Sequence, residues 1–93
     1  MDRKRLEIAR KKIDSLDNKI FSLIKKRTKI VHQMMLIKKY TSQIVDHKRI
    51  NIILKKIKRK SLYNKIDPKI TLRIWKTMIW SYVDYQRRNF KKK

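Results

Sequence analysis

The sequence predicts an all-α fold in which one very long helix is followed by two shorter ones. Three observations predict it. The chain contains no Gly and a single Pro, apolar residues recur in alternating steps of three and four from Leu6 to Ile37, and Asp67-Pro68 resembles a helix start. Apolar residues at this spacing occupy one face of a helix, and an N-cap residue followed by Pro is typical of a first turn. With 93 residues, we expect one small domain over residues 1–93.

The first helix is expected over about residues 3–40, and it carries an a/d heptad seam. The seam positions are Leu6, Ala9, Ile13, Leu16, Ile20, Leu23, Arg27, Ile30, Met34 and Ile37. At about 1.5 Å per residue such a helix is roughly 55 Å long, more than two shorter helices of the same chain can cover. We therefore predict an intertwined homodimer in which the two long helices pack along this seam.

The second helix is expected over about residues 46–60, after the polar residues 41–43 interrupt the first pattern. The carboxylate of Asp46 can cap its free backbone amides. Its apolar face is formed by Ile50, Ile53, Leu54 and Ile57.

The third helix is expected over about residues 68–90, starting at Asp67-Pro68. One of its stripes carries Leu72, Trp75, Ile79 and Tyr82, and the next position of that stripe is Gln86. The methionines and tryptophans, namely Met34, Met35, Trp75 and Trp80, are interpreted as core or dimer interface.

Composition excludes several classes of chemistry. The absence of Cys removes disulfides and thiolate chemistry, and the absence of Gly removes glycine-dependent phosphate loops. His32 and His47 have no second ligand at a metal-binding spacing, so we expect neither metal nor cofactor. No apolar run reaches the length of a membrane span and no secretory signal is apparent, which predicts a cytoplasmic protein with no membrane contact.

The net charge of +22 would favour any polyanionic partner. A codon bias toward Lys and Ile is the favoured explanation of most of this charge. A basic helical dimer that binds nucleic acid is therefore kept as an alternative function. It is disfavoured because basic residues are distributed around the helices and no recognition motif is apparent.

One charged residue interrupts the apolar seam of the first helix. A buried guanidinium needs an anion, so Arg27 should meet either a carboxylate of Asp14 or Asp17 from a neighbouring helix or a small anionic ligand. Lys38 lies eleven residues on, projecting from nearly the same face about 16 Å away. Arg10 lies about 25 Å before Arg27, too far to share a small ligand within one chain. In an antiparallel pair it would lie beside the other chain's Arg27 and Lys38, which predicts two composite sites per dimer.

The spacing of these residues resembles the all-helical, type II chorismate mutases of the AroQ class. The matching pattern is Ile13-Asp14-x-x-Asp17-x-x-Ile20-x-x-Leu23-x-x-x-Arg27, then Ile37-Lys38, Asp46-x-x-Arg49 and Gln86. The resemblance implies three helices per chain in an interlaced dimer and a Claisen rearrangement of chorismate to prephenate, a step in aromatic amino acid biosynthesis. That reaction requires no nucleophile, metal or cofactor, only a preorganised substrate and donors at the breaking ether bond.

By the same resemblance, two arginines would hold the substrate carboxylates, namely Arg27 and the partner subunit's Arg10. Their bidentate geometry suits carboxylates. Lys38 and Gln86 would donate to the ether oxygen. Taken alone, Gln86 could equally be a buried amide satisfied by backbone.

Asp46 and Arg49 would line the site near the ring hydroxyl, although Asp46 alone could be no more than a helix cap. Two positions depart from the family pattern: Ile50 stands where a Glu usually follows Arg49, and Tyr82 replaces a small hydroxyl residue four before Gln86. These two changes resemble the isochorismate–pyruvate lyase branch of the fold, which eliminates pyruvate to give salicylate. The lyase is therefore the alternative on the same scaffold, and an inactive relative is a further one. The spacing from Asp46 to Arg49 favours the mutase.

Overall fold

The computed structural model describes residues 2–91 and contains three α-helices. They are α1 (Arg3–Ile37), α2 (His47–Tyr63) and α3 (Pro68–Asn89), and a short 3₁₀ turn, Thr41–Gln43, separates the first two. No β-strand occurs in these residues. The all-α class and the order of one long helix and two shorter ones are confirmed.

Side-chain caps start the second and third helices. The Asp46 carboxylate accepts a hydrogen bond from the backbone N–H of Arg49 at 2.9 Å, and the Asp67 carboxylate accepts one from the backbone N–H of Lys69 at 2.9 Å. Each bond satisfies an amide that has no partner inside its helix. Pro68 occupies the first helical position, where its missing N–H costs nothing.

The α2–α3 turn is closed by two backbone hydrogen bonds, although the chain has no glycine to place there. The N–H of Ile66 donates to the carbonyl of Ser61 at 2.8 Å, and the N–H of Lys65 donates to the carbonyl of Leu62 at 3.2 Å. This pair of bonds is a Schellman motif, which needs a left-handed residue after the helix. Lys65 fills that position with φ of 57°, at a cost of about 1 kcal/mol relative to glycine.

By its internal contacts the chain divides into two units, an N-terminal unit, Met1–Val31, and a C-terminal unit, His32–Lys93. The N-terminal unit is a single helical segment whose seam side chains Ile13, Leu16, Ile20, Leu23 and Ile30 each expose more than half of their surface. The seam of this unit is therefore an uncovered apolar stripe.

The C-terminal unit has a small core of its own. The buried apolar residues are Met35, Ile44, Ile50, Ile79 and Val83, and the hydroxyls of Ser61 and Thr71 join α2 to α3 at 2.6 Å. Trp75 is half-buried, whereas Met34 and Trp80 are exposed. Of the four residues interpreted as core or dimer interface, Met35 is the one that is buried within a single chain.

Within residues 2–91, none of the helices combines the length and the apolar character that crossing a bilayer requires.

Candidate active site

The C-terminal unit brings together two polar residues that lie far apart in the sequence. The Lys38 ammonium donates a hydrogen bond from Nζ to Oε1 of Gln86 at 2.8 Å. Gln86 is only 6% exposed, and its Nε2 donates to the backbone carbonyl of Tyr82 at 3.3 Å. The ammonium and the amide have further N–H donors beyond these two bonds, so the pair can present donors to one bound atom.

A tight turn fixes the backbone around Lys38. Its N–H donates to the carbonyl of Met34 at 3.2 Å, which prolongs the helical turn beyond the last residue of α1. The side-chain carbonyl of Gln43 then accepts the N–H groups of Lys39 at 2.7 Å and Tyr40 at 2.9 Å. These bonds satisfy the next two amides, so the chain leaves the helix immediately after Lys38.

Buried apolar residues lie near both members of the Lys38–Gln86 pair in the sequence. Met35 and Ile44, on either side of Lys38 in the sequence, are both in the core of the C-terminal unit. Gln86 follows the buried Val83 by three residues on α3, and residues three apart share a helix face. The pair therefore lies at the edge of the apolar core, where electrostatic interactions are stronger than in water.

The electrostatic environment of Lys38 shows two opposing effects. Burial lowers the pKa of the Lys38 ammonium below its ordinary value of 10.5, and the nearby Asp46 carboxylate partly raises it again. Desolvation disfavours the charged amine and the opposite charge favours it. Asp46 thus has two functions, since it caps α2 and it supports the positive charge of Lys38.

The first turn of α2 separates its polar and apolar side chains. Asp46 and Arg49 are exposed, whereas Ile50 is buried at 9% exposure. The position after Arg49 therefore contributes an apolar side chain to the core, and Asp46 is the carboxylate of this turn. Tyr82 is half-buried one helical turn before Gln86.

A second side-chain contact joins α1 to α3 beside this pair, and sequence reasoning missed it. Nδ1 of His32 lies 2.8 Å from the hydroxyl oxygen of Tyr85. His32 precedes Lys38 by six residues and Tyr85 immediately precedes Gln86. No periodic pattern in the sequence pairs His32 with Tyr85 on its own.

The two arginines of the predicted site belong to the N-terminal unit. The exposed guanidinium of Arg10 forms an ion pair with Glu7, from Nη1 to Oε1 at 3.2 Å, along the same helix. Arg27 is half-buried. Their contribution to one site with Lys38 and Gln86 stays a prediction.

The Lys38–Gln86 arrangement suits the stabilisation of negative charge on an oxygen atom. A cationic donor and a neutral amide donor at the edge of an apolar core are the groups expected where charge develops during bond cleavage. Both groups are held by hydrogen bonds before a ligand arrives, which reduces the reorganisation that binding requires.

Comparison with known proteins gives one result. The family model of the type II chorismate mutases matches residues 9–87, a range that contains every residue of the candidate site. No curated protein and no solved structure matches the chain. The match extends over most of α1 and all of α2, and it ends one residue after Gln86. The chain belongs to the type II chorismate mutase family.

Proposed function

We propose that the protein is a chorismate mutase, an isomerase that converts chorismate to prephenate. The observation that carries the proposal is the 2.8 Å contact between Lys38 Nζ and Gln86 Oε1 in a chain of this family. In the rearrangement the ether C–O bond breaks while a C–C bond forms within the same molecule. No external nucleophile takes part, so the protein has to fold the substrate and stabilise charge on the ether oxygen.

The polar residues of the predicted site each have a role in this proposal. Lys38 and Gln86 donate to the ether oxygen, and Arg27 binds one carboxylate of the substrate. Asp46 lies near the ring hydroxyl, where it also supports the charge of Lys38. The Arg49 guanidinium lines the site beside Asp46 and helps to position Asp46 or a substrate carboxylate.

The proposal includes a homodimer. Support comes from the exposed seam of the N-terminal unit, because a contiguous stripe of large apolar side chains on one helix marks an interaction surface. A second copy offers the same stripe, so packing along the seam is self-complementary. The partner subunit's Arg10 then completes each site by binding the second carboxylate.

The direct experiment follows the loss of chorismate absorbance and the formation of prephenate by the purified chain. Lys38→Ala should reduce kcat by about 10²–10³-fold, because a donor to the breaking bond acts mainly in the transition state. Lys39→Ala is the matched control, since it removes the neighbouring exposed ammonium and keeps the backbone N–H that binds Gln43. Equal activity of the two variants would contradict the proposed role of Lys38 as a donor to the ether oxygen. No turnover by the unmodified chain would overturn the function itself.

A second candidate function is the isochorismate–pyruvate lyase reaction on the same scaffold. The observation that favours it is the buried, apolar Ile50, which provides no acceptor for a substrate hydroxyl, together with the bulky Tyr82. Feeding isochorismate and assaying salicylate separates the two reactions. Salicylate formation faster than prephenate formation would make the lyase the main activity.

The proposed setting is primary metabolism in the cytoplasm, with prephenate supplying phenylalanine and tyrosine. Expression of the chain in a mutase-deficient auxotroph, with and without Lys38→Ala, tests this. Growth without phenylalanine and tyrosine that depends on Lys38 supports the setting, and cell fractionation tests the location.

A further inference from the structure

The second helix carries an uncompensated positive charge. Its basic residues are Lys48, Arg49, Lys55, Lys56, Lys58, Arg59 and Lys60, and it contains no Asp or Glu. All of these basic side chains are exposed. The sequence analysis interprets the basic residues as distributed around all the helices, with no separate stripe. Once the helix bounds are known, α2 differs from α1 and α3 in containing no acidic residue.

The burial pattern of α2 shows which side of the helix faces away from the core and which basic residues lie there. Ile50 and Ser61 are its buried residues, and at about 100° per residue they define one side of the helix. Lys48, Lys55 and Arg59 fall on the opposite side. Lys55 and Arg59 are one turn apart, about 6 Å along the axis, so the outward side of α2 presents a row of cations.

The acids nearest to α2 are engaged at helix ends. Asp46 and Asp67 each accept a backbone N–H as N-caps. Within residues 2–91, the basic side chains of α2 form no ion pair. The ion pairs of these residues are in the N-terminal unit, Arg5 with Asp2 and Arg10 with Glu7. The charge on α2 is therefore available to an external anion.

We propose that the outward side of α2 binds the sugar–phosphate backbone of nucleic acid without sequence preference. A row of closely spaced cations matches a polymer with regularly spaced phosphates, and binding gains from the release of condensed counterions. Tyr63, which is 89% exposed at the end of this helix, adds an aromatic face on which a base can stack.

The distribution of apolar residues favours nucleic acid over a lipid surface. A helix that lies in a membrane interface needs a continuous apolar face. On the outward side of α2 the exposed Ile52 is separated from the exposed Leu62 and Tyr63 by Lys55, Lys56 and Arg59. Insertion of such an interrupted face into a membrane would bury cations in the lipid together with the apolar residues.

The proposed surface is separate from the candidate active site. Of the site residues on α2, Ile50 is on the buried side, opposite to Lys55 and Arg59. Arg49 lies in the first turn, about 9–15 Å along the axis from Lys55 and Arg59. Loss of one activity can therefore be measured without loss of the other.

The test uses a labelled mixed-sequence oligonucleotide and the full chain at about 150 mM salt. The variant Lys55→Gln/Lys56→Gln/Arg59→Gln should bind at least about tenfold more weakly, and the slope of log affinity against log salt should fall by about 2–3. Glutamine keeps helix propensity, so helix content by circular dichroism and turnover of chorismate should not change.

The matched control is Lys4→Gln/Lys11→Gln/Lys25→Gln. It removes the same charge from exposed positions of α1 that lie away from the apolar seam. Its affinity should fall less than about threefold, because these cations are outside the proposed surface and contribute only to the long-range field.

Three outcomes would overturn the proposal. Equal weakening by both triple variants would show that the charge acts diffusely rather than at α2. Absence of oligonucleotide binding at this salt concentration would show that the chain does not have the proposed binding activity. Tight binding to vesicles of anionic phospholipid, with weak binding to the oligonucleotide, would identify the partner as a membrane.

Discussion

The N-terminal and C-terminal units of the chain differ in how they bury apolar surface. The C-terminal unit has a small core of its own, and α2 and α3 are joined there by the Ser61–Thr71 contact. The N-terminal unit is one helical segment with an exposed apolar seam. Most of the stability of a helix in a protein comes from packing its apolar face. The apolar seam of the N-terminal unit thus needs a further surface to pack against, whereas the C-terminal unit already buries part of its apolar surface within one chain.

The same difference divides the candidate site. Lys38 and Gln86 meet within the C-terminal unit of a single chain. Arg10 and Arg27 lie on the N-terminal unit, where we expect dimerisation. The proposed donors for the ether oxygen are therefore already in contact within one chain, and we expect the cations proposed to hold the carboxylates to depend on assembly.

The largest effect is expected from Gln86→Glu, which tests the Lys38–Gln86 pair of the C-terminal unit. A carboxylate at this position would ion-pair with Lys38 and offer no N–H, so kcat at neutral pH should fall by about 10²–10³-fold. Protonation of the new carboxyl restores a donor, and activity should therefore rise as the pH falls. Gln86→Ala is the control, because it has no group to protonate and should stay inactive at every pH. Normal turnover by Gln86→Glu at neutral pH would contradict the donor role.

The next largest effect is expected from Leu16→Asp, which tests the exposed seam. An unpaired carboxylate in a dimer seam costs several kcal/mol, so the dimer should dissociate at least about 100-fold more readily. Analytical ultracentrifugation measures this change. Asn18→Asp adds the same charge two residues away, off the seam, and should leave the dimer intact. A monomeric wild-type chain, or equal association of the two variants, would show that the seam is not the dimer interface.

A smaller effect is expected from Asp46→Asn, which tests the electrostatics of Lys38. Lys38 carries its positive charge only when protonated, so its stabilisation of negative charge is present below its pKa and is lost as the pH rises through it. The Asp46 carboxylate raises the pKa of Lys38, and its removal should start the alkaline loss of kcat at lower pH. Asn is as good an N-cap as Asp, so α2 should keep its start.

The control for that experiment is Asp67→Asn, which makes the same change at the cap of α3. The carboxylate that raises the pKa of Lys38 is that of Asp46, so the alkaline limb of the pH profile should not move in Asp67→Asn. An unchanged profile for Asp46→Asn, or a shift to higher pH, would contradict the proposed coupling.

The elements that could be predicted from the sequence are those that depend on local signals. The heptad seam predicts the long helix, because an apolar period of three and four residues has no other regular interpretation at this length. Asp67-Pro68 predicts the start of α3, since the cap and the fixed backbone angle of Pro act within one turn. The Asp46 cap of α2 follows from the same chemistry.

Contacts between helices could not be predicted in the same way. The approach of Lys38 to Gln86 was expected from a family resemblance, because periodicity specifies a face of a helix but not which face meets which. The His32–Tyr85 contact was missed for that reason. The turn after Lys38 depends on the Gln43 side chain accepting two amides, an interaction that no pattern of residue types indicates.

The central claim is that two copies of the chain build each active site, and a subunit-mixing experiment tests it most directly. Arg10→Ala and Arg27→Ala should each be nearly inactive alone. After random exchange half of the dimers are mixed, and each mixed dimer regains one of its two sites, so the mixture should recover about a quarter of wild-type kcat. If native mass spectrometry verifies the mixed dimers and activity stays at the level of the single variants, donation of Arg10 across the interface is contradicted.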